Sequence, residues 1–195
     1  SPNLTVSSQG IFGVTGAIGS VQRLGDIKVN NGTGNQLSAL NLLGTITAGS
    51  LNSGTVAGDI ALTQNQNYNL ASGLNLTTTT NATQIGNIKL GNIVTTNGAA
   101  LTLKNSGALE FQQGITIDGA ISQTSGVTGT GGLTANPSVA IGTSLGLPVV
   151  MKSNTAGIAI GSKLDLVQNT TFQTGGNGAV VFSGTVDSSL TRDLV

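Results

Sequence analysis

The side chains that could do chemistry in this sequence are few and widely separated. There is no His and no Cys among the 195 residues, so the base that usually activates a nucleophile and the ligands of zinc and haem sites are missing. Two carboxylates brought together by the fold could act on a polysaccharide. The candidates are Asp59, Glu110, Asp118, Asp165 and Asp187. Because they occur singly, and the chain has one Tyr to stack on a sugar, we predict surface or turn carboxylates.

A serine nucleophile with a lysine base is the remaining route to catalysis. No Ser-x-x-Lys motif occurs, and the nearest pairs are the adjacent residues Lys152-Ser153 and Ser162-Lys163. Adjacent residues on a strand point to opposite faces, so neither pair should meet. We predict that the chain has no catalytic residue and is not an enzyme.

The glycine-rich segments do not carry the residues that ligand-binding loops need. Residues 129–132 and 175–178 have the glycines of a calcium-binding β-roll but lack its Asp. Glycine recurs every three residues within 10–19, but the helix that follows a phosphate-binding loop is not indicated. We therefore predict no metal site, no cofactor-binding residue and no cofactor.

The charge balance excludes several classes of partner. Charged residues make up 7% of the chain, and seven Lys and Arg balance seven Asp and Glu. A chain without excess positive charge lacks the basic surface that attracts nucleic acid or an anionic membrane. No apolar run reaches the roughly 18 residues that would insert into a bilayer. With 37% hydrophobic residues and a mean hydropathy of +0.22, the chain can bury a core, unlike a disordered one.

Short patterns of the form apolar, small polar, apolar recur along the whole chain and predict strands. Alternation with a period of two places one side chain inward and the next outward. The predicted strands are 4–6, 27–29, 60–62, 74–76, 88–90, 101–103, 115–117, 139–141, 158–160, 164–166 and 180–182. Five of them, beginning between residues 60 and 115, start about 14 residues apart.

The same pattern predicts which side chains face the core and where the chain turns. The predicted core residues are Ile60, Leu62, Leu74, Leu76, Ile88, Leu90, Leu101, Leu103, Ile115 and Ile117. Tight turns with positive φ are expected between the strands, and the candidates for them are Gly73, Asn87, Gly98 and Gly114. Residues 36–43 hold a short leucine cluster between glycines, and we predict a loop or one helical turn there.

Short, regularly spaced strands fit two all-β architectures, a parallel β-helix (β-solenoid) and repeats of a β-sandwich. Aromatic residues are 3% of the chain and Trp is absent, whereas a sandwich core needs large side chains to fill about 10 Å between its sheets. Asn, Thr and Ser, which stack on themselves in parallel coils, are abundant. We predict a single β-solenoid module over residues 1–195, with the β-sandwich as the alternative.

A longer motif recurs around three phenylalanines, at residues 12–20, 111–122 and 182–188. Each copy contains Phe, Gly, an apolar residue and then Ser, and predicts an aromatic side chain at one recurring structural place. With Leu4-Thr5-Val6 before the first copy and 24–27 after it, the N-terminal part resembles the β-strand repeats of giant bacterial surface proteins, of the filamentous haemagglutinin and autotransporter-adhesin type. The C-terminal copy resembles the stretch that precedes the next leucine-threonine-valine in such repeats.

The resemblance implies an exported, long and repetitive β-rich stalk without catalytic residues. It implies an extracellular or cell-surface location and, as partners, copies of the chain or adjacent repeats joined head to tail. No capping element is recognisable in the sequence, so the first and last coils are expected to stack on further copies, which gives filaments. The predicted function is a structural module of a fibre or adhesin stalk. The alternatives are an adhesin domain that binds surface glycans or a host, and a polysaccharide-active β-helix enzyme.

Overall fold

The computed structural model of the chain describes residues 4–7, 11–14, 24–30, 39–42, 46–56, 59–62, 66–69, 73–78, 87–125, 137–143 and 148–188. The described residues form twenty-one β-strands and no helix. Numbered in chain order, these strands belong to three sheets, which we call A, B and C.

Each sheet takes its strands from along the whole chain. Sheet A contains β1 (Leu4–Ser7), β3 (Leu24–Asn30), β5 (Ile46–Val56), β8 (Leu74–Thr78), β11 (Leu101–Asn105), β14 (Ile121–Ser125), β17 (Ile158–Ile160) and β20 (Val180–Phe182). Sheet B contains β2 (Ile11–Val14), β4 (Ala39–Leu42), β6 (Asp59–Leu62), β9 (Ile88–Leu90), β12 (Ala108–Phe111), β15 (Ser138–Ile141), β18 (Lys163–Leu166) and β21 (Val186–Asp187). Sheet C contains β7 (Gln66–Asn69), β10 (Ile93–Thr95), β13 (Ile115–Ile117), β16 (Val149–Ser153) and β19 (Thr170–Thr174). The first residues of the long strand β5 also pair in sheet C, so β5 joins sheets A and C.

The chain visits the three sheets in a fixed order. From β5 onward it runs through one strand of sheet A, one of sheet B and one of sheet C before it returns to sheet A, and we call each such set a triplet. Within each sheet, a strand pairs with the corresponding strands of the preceding and following triplets. Every pair formed by the described strands is parallel. The all-β prediction is confirmed, and the antiparallel hairpins of a β-sandwich do not occur among the described strands.

The spacing of about 14 residues joins strands of different sheets. Ile60 and Ile88 lie in sheet B, Leu74 and Leu101 lie in sheet A, and Ile115 lies in sheet C. True neighbours within one sheet are further apart in sequence and less regular. The paired first residues of β11 and β14 are 20 positions apart, and those of β14 and β17 are 37 positions apart. The spacing of about 14 residues is therefore the distance between strands of different sheets. It does not give the number of residues in one triplet.

One hydrophobic core lies between the three sheets. Nine of the ten predicted core residues are buried, and the side chain of the tenth, Ile60, lies outside the described residues. The same core contains residues from all three sheets that the pattern did not predict, such as Ile121 of sheet A, Phe111 of sheet B and Met151 of sheet C. These side chains stack on those of adjacent triplets, because parallel registers place Ile115 beside Met151 and Phe111 beside Ile141.

Two local predictions are wrong, and a third is right in part. Residues 39–42 within the leucine cluster form strand β4, because the backbone of these residues pairs with β2 on one side and β6 on the other. Pairing on both sides satisfies the backbone polar groups and outweighs the local preference for a turn. The three phenylalanine motifs are not equivalent either. Phe12 and Phe111 occupy different register positions of sheet B, and Phe182 lies in sheet A.

The third local prediction, that four turn residues have positive φ, holds at two of the four positions. Gly73 and Gly98 have φ of 124° and 69°, as predicted, and Asn97 before Gly98 has φ of 60°. Gly114 and Asn87 do not have positive φ. At Gly114 the backbone needs space, since a Cβ there would lie 2.5 Å from the carbonyl oxygen of Val150. The Asn87 Oδ1 instead accepts a hydrogen bond from the amide of Ala108, at 2.9 Å.

Candidate interaction surfaces

Three of the candidate carboxylates lie in one row on the outer face of sheet B. The registers place Glu110 beside Ala140, Ala140 beside Asp165, and Asp165 beside Asp187. Adjacent strands are about 4.8 Å apart, so Asp165 and Asp187 are neighbours, whereas Ala140 separates Asp165 from Glu110. The fold therefore brings two of the five carboxylates directly together.

Lysines accompany this carboxylate row. The Lys89 ammonium lies 3.2 Å from the Glu110 carboxylate, and the Lys163 ammonium lies 3.5 Å from the Asp187 carboxylate. All four side chains are at least 36% exposed, so each pair contributes little to stability. The two lysines offset two of the three carboxylate charges in the row, and among the described residues no ammonium group lies within 4 Å of the Asp165 carboxylate.

Asp118 lies elsewhere, at the corner where the chain passes from sheet C to sheet A. Its Oδ2 accepts a hydrogen bond of 2.6 Å from the amide of Gly98, and its Oδ1 accepts one of 3.3 Å from the Asn154 side chain. Its own amide donates to the Thr95 hydroxyl at 2.9 Å. Asp118 thus links three successive triplets at one corner. For Asp59 only the backbone, at the start of β6, is described. Within the described residues, no group of three or more His, Cys, Asp or Glu is placed to hold a metal ion.

The two Ser–Lys pairs point apart, as predicted from their adjacency. Ser153 is buried, and its hydroxyl donates to the carbonyl oxygen of Gly119 at 2.8 Å, whereas Lys152 is exposed. Ser162 is 8% exposed and its Oγ accepts from the Gln123 amide at 2.9 Å, whereas Lys163 points outward. Both hydroxyls are therefore held in hydrogen bonds inside the protein, near the corners between sheets.

Gln123 forms a buried polar network that the sequence analysis missed. It occupies an inward position of β14, between Leu103 of β11 and Ile160 of β17, and is 3% exposed. Its Nε2 donates to the Asn105 Oδ1 at 2.6 Å and to the Ser162 Oγ at 2.9 Å, and its Oε1 accepts from the amide of Ser162 at 3.0 Å. The sequence does contain a signal for this network. Gln123 is a polar residue two positions after Ile121, where the period-two pattern expects an apolar, inward-facing residue.

One row on the outer face of sheet A carries no charged residue from Asn75 to Val181, and beyond Asn75 the registers continue it through Asn52 to Lys28. Asn75, Thr102, Ser122, Ala159 and Val181 succeed one another there through the parallel registers. Small hydroxyl, amide and methyl groups leave this row without bulky or charged projections. This stretch of the row is solvated by neutral polar groups and has no charge of its own to attract a charged partner.

The last described strands leave inward-facing apolar side chains open to solvent. In sheet A, Ile121 and Ile158 are 1% exposed, but Val180, the next member of their row, is 38% exposed. In sheet B, Val186 is 40% exposed although its register partner Leu164 is fully buried. No described strand pairs with the far side of β20 or β21. We call this surface, formed by β20 and β21, the C-terminal edge.

Two phenylalanines extend the apolar surface of the C-terminal edge. Phe172 of β19 and Phe182 of β20 are half-buried and pack against the core. Their rings are edge to face, with centroids 5.0 Å apart and planes at 70°, which is a favourable aromatic geometry. The edge therefore combines aliphatic and aromatic groups that are shielded in the interior triplets.

The opposite edge is formed by β1. Leu4 and Val6 are half-buried and pack against the core, and Thr5 between them is exposed. Among the described strands, β1 pairs only with β3. Leu4 begins the inward row that ends at Val180, and we call that row the first row of sheet A. Its members in order are Leu4, Ile27, Leu51, Leu74, Leu101, Ile121, Ile158 and Val180.

Comparison with known proteins adds no family to this description. No protein-family model, no curated protein and no solved structure matches the chain. The described residues contain no helix with the length and hydropathy of a membrane span. The class that the fold itself defines is an all-β protein built from sheets of parallel strands.

Proposed function

We propose that the chain is a structural module of an extracellular fibre or adhesin stalk, built as a β-helix that stacks end to end with further copies. The observation that carries the proposal is the first row of sheet A, in which eight apolar residues succeed one another in register and the last is exposed. Each strand added to such a row covers the strand before it. A stack of this kind can therefore be extended without a change in its internal contacts.

The order of the strands and the common core support the β-helix. Consecutive strands lie in sheets A, B and C in turn, and side chains from all three sheets share one hydrophobic cluster. Three parallel sheets wrapped around one core are the arrangement of a β-solenoid, in which each triplet is one coil. The module is then a rod whose long axis runs across the strands, which suits a spacer.

The chemistry of the surface supports a passive role. The outer row of sheet A is uncharged from Asn75 to Val181, and the charges on sheet B are largely paired with each other. The hydroxyls of Ser153 and Ser162 are engaged in the corners. These features, with the resemblance to repeats of giant bacterial surface proteins, favour a stalk over an enzyme.

One observation favours the adhesin as a second candidate. The sequence between three strands of sheet A and the strands of sheet B that follow them is rich in Asn, Thr and Gly, at residues 31–38, 79–86 and 126–136. The amides and hydroxyls of such residues suit neutral sugars. A stalk that also binds glycans is therefore the alternative.

Location is the first test of the proposal. We expect antibodies raised against the chain to label intact cells of the organism that makes it as strongly as permeabilised cells. Protease added outside the cells should remove the signal. The control is an antibody against a cytoplasmic enzyme of the same cells, which should label only after permeabilisation. Labelling of the chain that also requires permeabilisation would contradict the proposal.

A panel of polysaccharides separates the stalk from its alternatives. We expect the purified chain neither to bind immobilised glycans nor to release reducing ends or unsaturated products from pectin, alginate or chitin. Binding to one class of glycan would favour the adhesin. Product release would favour an enzyme, and the Asp165→Asn variant would then show whether the Asp165–Asp187 pair is responsible, because paired carboxylates are the catalytic groups of glycosidases.

A further inference from the structure

The two edges of the described structure are complementary in their side chains. At the C-terminal edge, Val180 and Val186 are 38% and 40% exposed, although the register partners Ile158 and Leu164 are at most 1% exposed. At the other edge, β1 presents half-buried side chains that belong to the same set of inward positions. Each edge thus exposes apolar groups of the kind that the interior triplets bury.

The directions of the strands also match. All described strand pairs in sheet A are parallel, including β1 with β3 and β17 with β20. If a second copy is placed with the same orientation, its β1 can continue the ladder after β20 without reversing direction. The backbone N–H and C=O groups on the far side of β20 would then find partners, as an open strand edge requires.

We infer that the C-terminal edge binds β1 of a second copy of this chain, with Leu4 beside Val180 and Val6 beside Phe182. This inference rests on the proposed stalk function and specifies its partner and register. The first row of sheet A then continues from one copy into the next. Thr5, on the outer face, lies beside Val181, which is 48% exposed in a single copy. The contact joins two different surfaces, so it produces open filaments and not closed dimers.

Among the described residues, the charged positions nearest this contact are Lys28, which the register places beside Thr5, and the pair Lys163 and Asp187. The ionisable groups of β18 and β21 nearest the C-terminal edge include Lys163 and Asp187, which are paired with each other at 3.5 Å. The strands β20 and β1 carry no ionisable side chain. Apolar burial and backbone pairing therefore decide the affinity, and the contact should be insensitive to moderate salt.

A disulfide between two copies tests the register. The chain has no Cys, so Thr5→Cys in one preparation and Val181→Cys in another introduce one thiol each, at exposed positions of the outer face. Adjacent strands are about 4.8 Å apart, within the roughly 4.4–6.8 Å between Cα atoms that a disulfide allows. We expect the mixture of the two variants to form a covalent dimer under mild oxidation, on a non-reducing gel.

The control replaces Thr5→Cys by Thr102→Cys. Thr102 is also exposed and lies in the same outer row, but Asn75 and Ser122 occupy both of its neighbouring positions. Thr102→Cys mixed with Val181→Cys should therefore form no specific dimer. Val180→Asp in the Val181→Cys chain should abolish the cross-link to Thr5→Cys. Circular dichroism of each variant checks that the strands are retained.

Three results would overturn the inference: no dimer from Thr5→Cys with Val181→Cys, equal dimer with Thr102→Cys, or ready homodimers of Val181→Cys alone. The last would mean that two C-terminal edges pair with each other. These results leave the stalk proposal intact if the chain is still labelled on intact cells. An intracellular location would instead remove the stalk proposal, whatever the cross-linking shows.

Discussion

Ile115→Asp is expected to remove a large part of the stability of the protein. Ile115 is 1% exposed and lies beside Met151 in the inward face of sheet C. An Asp there would place a carboxylate among aliphatic groups with no partner to donate a hydrogen bond. A buried, unpaired charge of this kind costs about 4 kcal/mol or more, against a typical total of about 5–15 kcal/mol. Urea unfolding followed by circular dichroism measures the loss.

The adjacent residue provides a matched control. Thr116 is half-buried on the outer face of the same strand, and its register partner on β16 is Lys152. An Asp at position 116 stays in water and faces a lysine, which is worth a few tenths of a kcal/mol to about 1 kcal/mol in favour of folding. Thr116→Asp should therefore keep the stability of the parent to within about 0.5 kcal/mol. An Ile115→Asp variant as stable as Thr116→Asp would show that Ile115 does not face a dry core.

The inward face of the strands can be read from the sequence where apolar residues flank one small polar residue. All eleven strands predicted from the sequence, most of which have this pattern, lie in strands of the structure, from 4–6 in β1 to 180–182 in β20. β7 and β19, which are not predicted, lack the pattern, whereas β4 contains it as Leu40-Asn41-Leu42 and is predicted as a loop or one helical turn. β7 is Gln-Asn-Tyr-Asn and β19 is Thr-Thr-Phe-Gln-Thr, and pairing with neighbouring strands, not local preference, makes them strands.

The order of the three sheets could not be predicted, because it depends on the lengths of the corners. The connection from sheet A to sheet B is two residues long between β11 and β12 but spans residues 126–137 between β14 and β15. Insertions of this size hide any constant repeat length in the sequence. They also hide contacts between distant residues. Asp165 and Asp187 are 22 positions apart, and only the register of β18 with β21 makes them neighbours.

Gln123→Leu is expected to destabilise the protein by about 3 kcal/mol or more, although it makes the core more apolar. The Gln123 amide contacts polar groups of the next triplet and the preceding one. Without it, the amide of Ser162 loses its acceptor, and the Asn105 Oδ1 and Ser162 Oγ lose their donor. Each buried polar group that loses its partner costs about 1–3 kcal/mol. Gln173→Leu is the matched control, since Gln173 is exposed, and it should change stability by about 0.5 kcal/mol at most.

A double-mutant cycle distinguishes the loss of this network from a simple change of shape. Ser162→Ala removes the hydroxyl that accepts a hydrogen bond from Gln123. In that background Gln123→Leu cannot break this hydrogen bond again, so it should lower the free energy of unfolding by less. We expect the two substitutions together to cost less than the sum of their separate costs, by about 1 kcal/mol. If the costs add, or if Gln123→Leu is neutral, Asn105 and Ser162 have found other partners. The corner between sheets A and B would then not depend on Gln123. The expected coupling would instead mean that one buried amide holds three successive triplets in register at that corner.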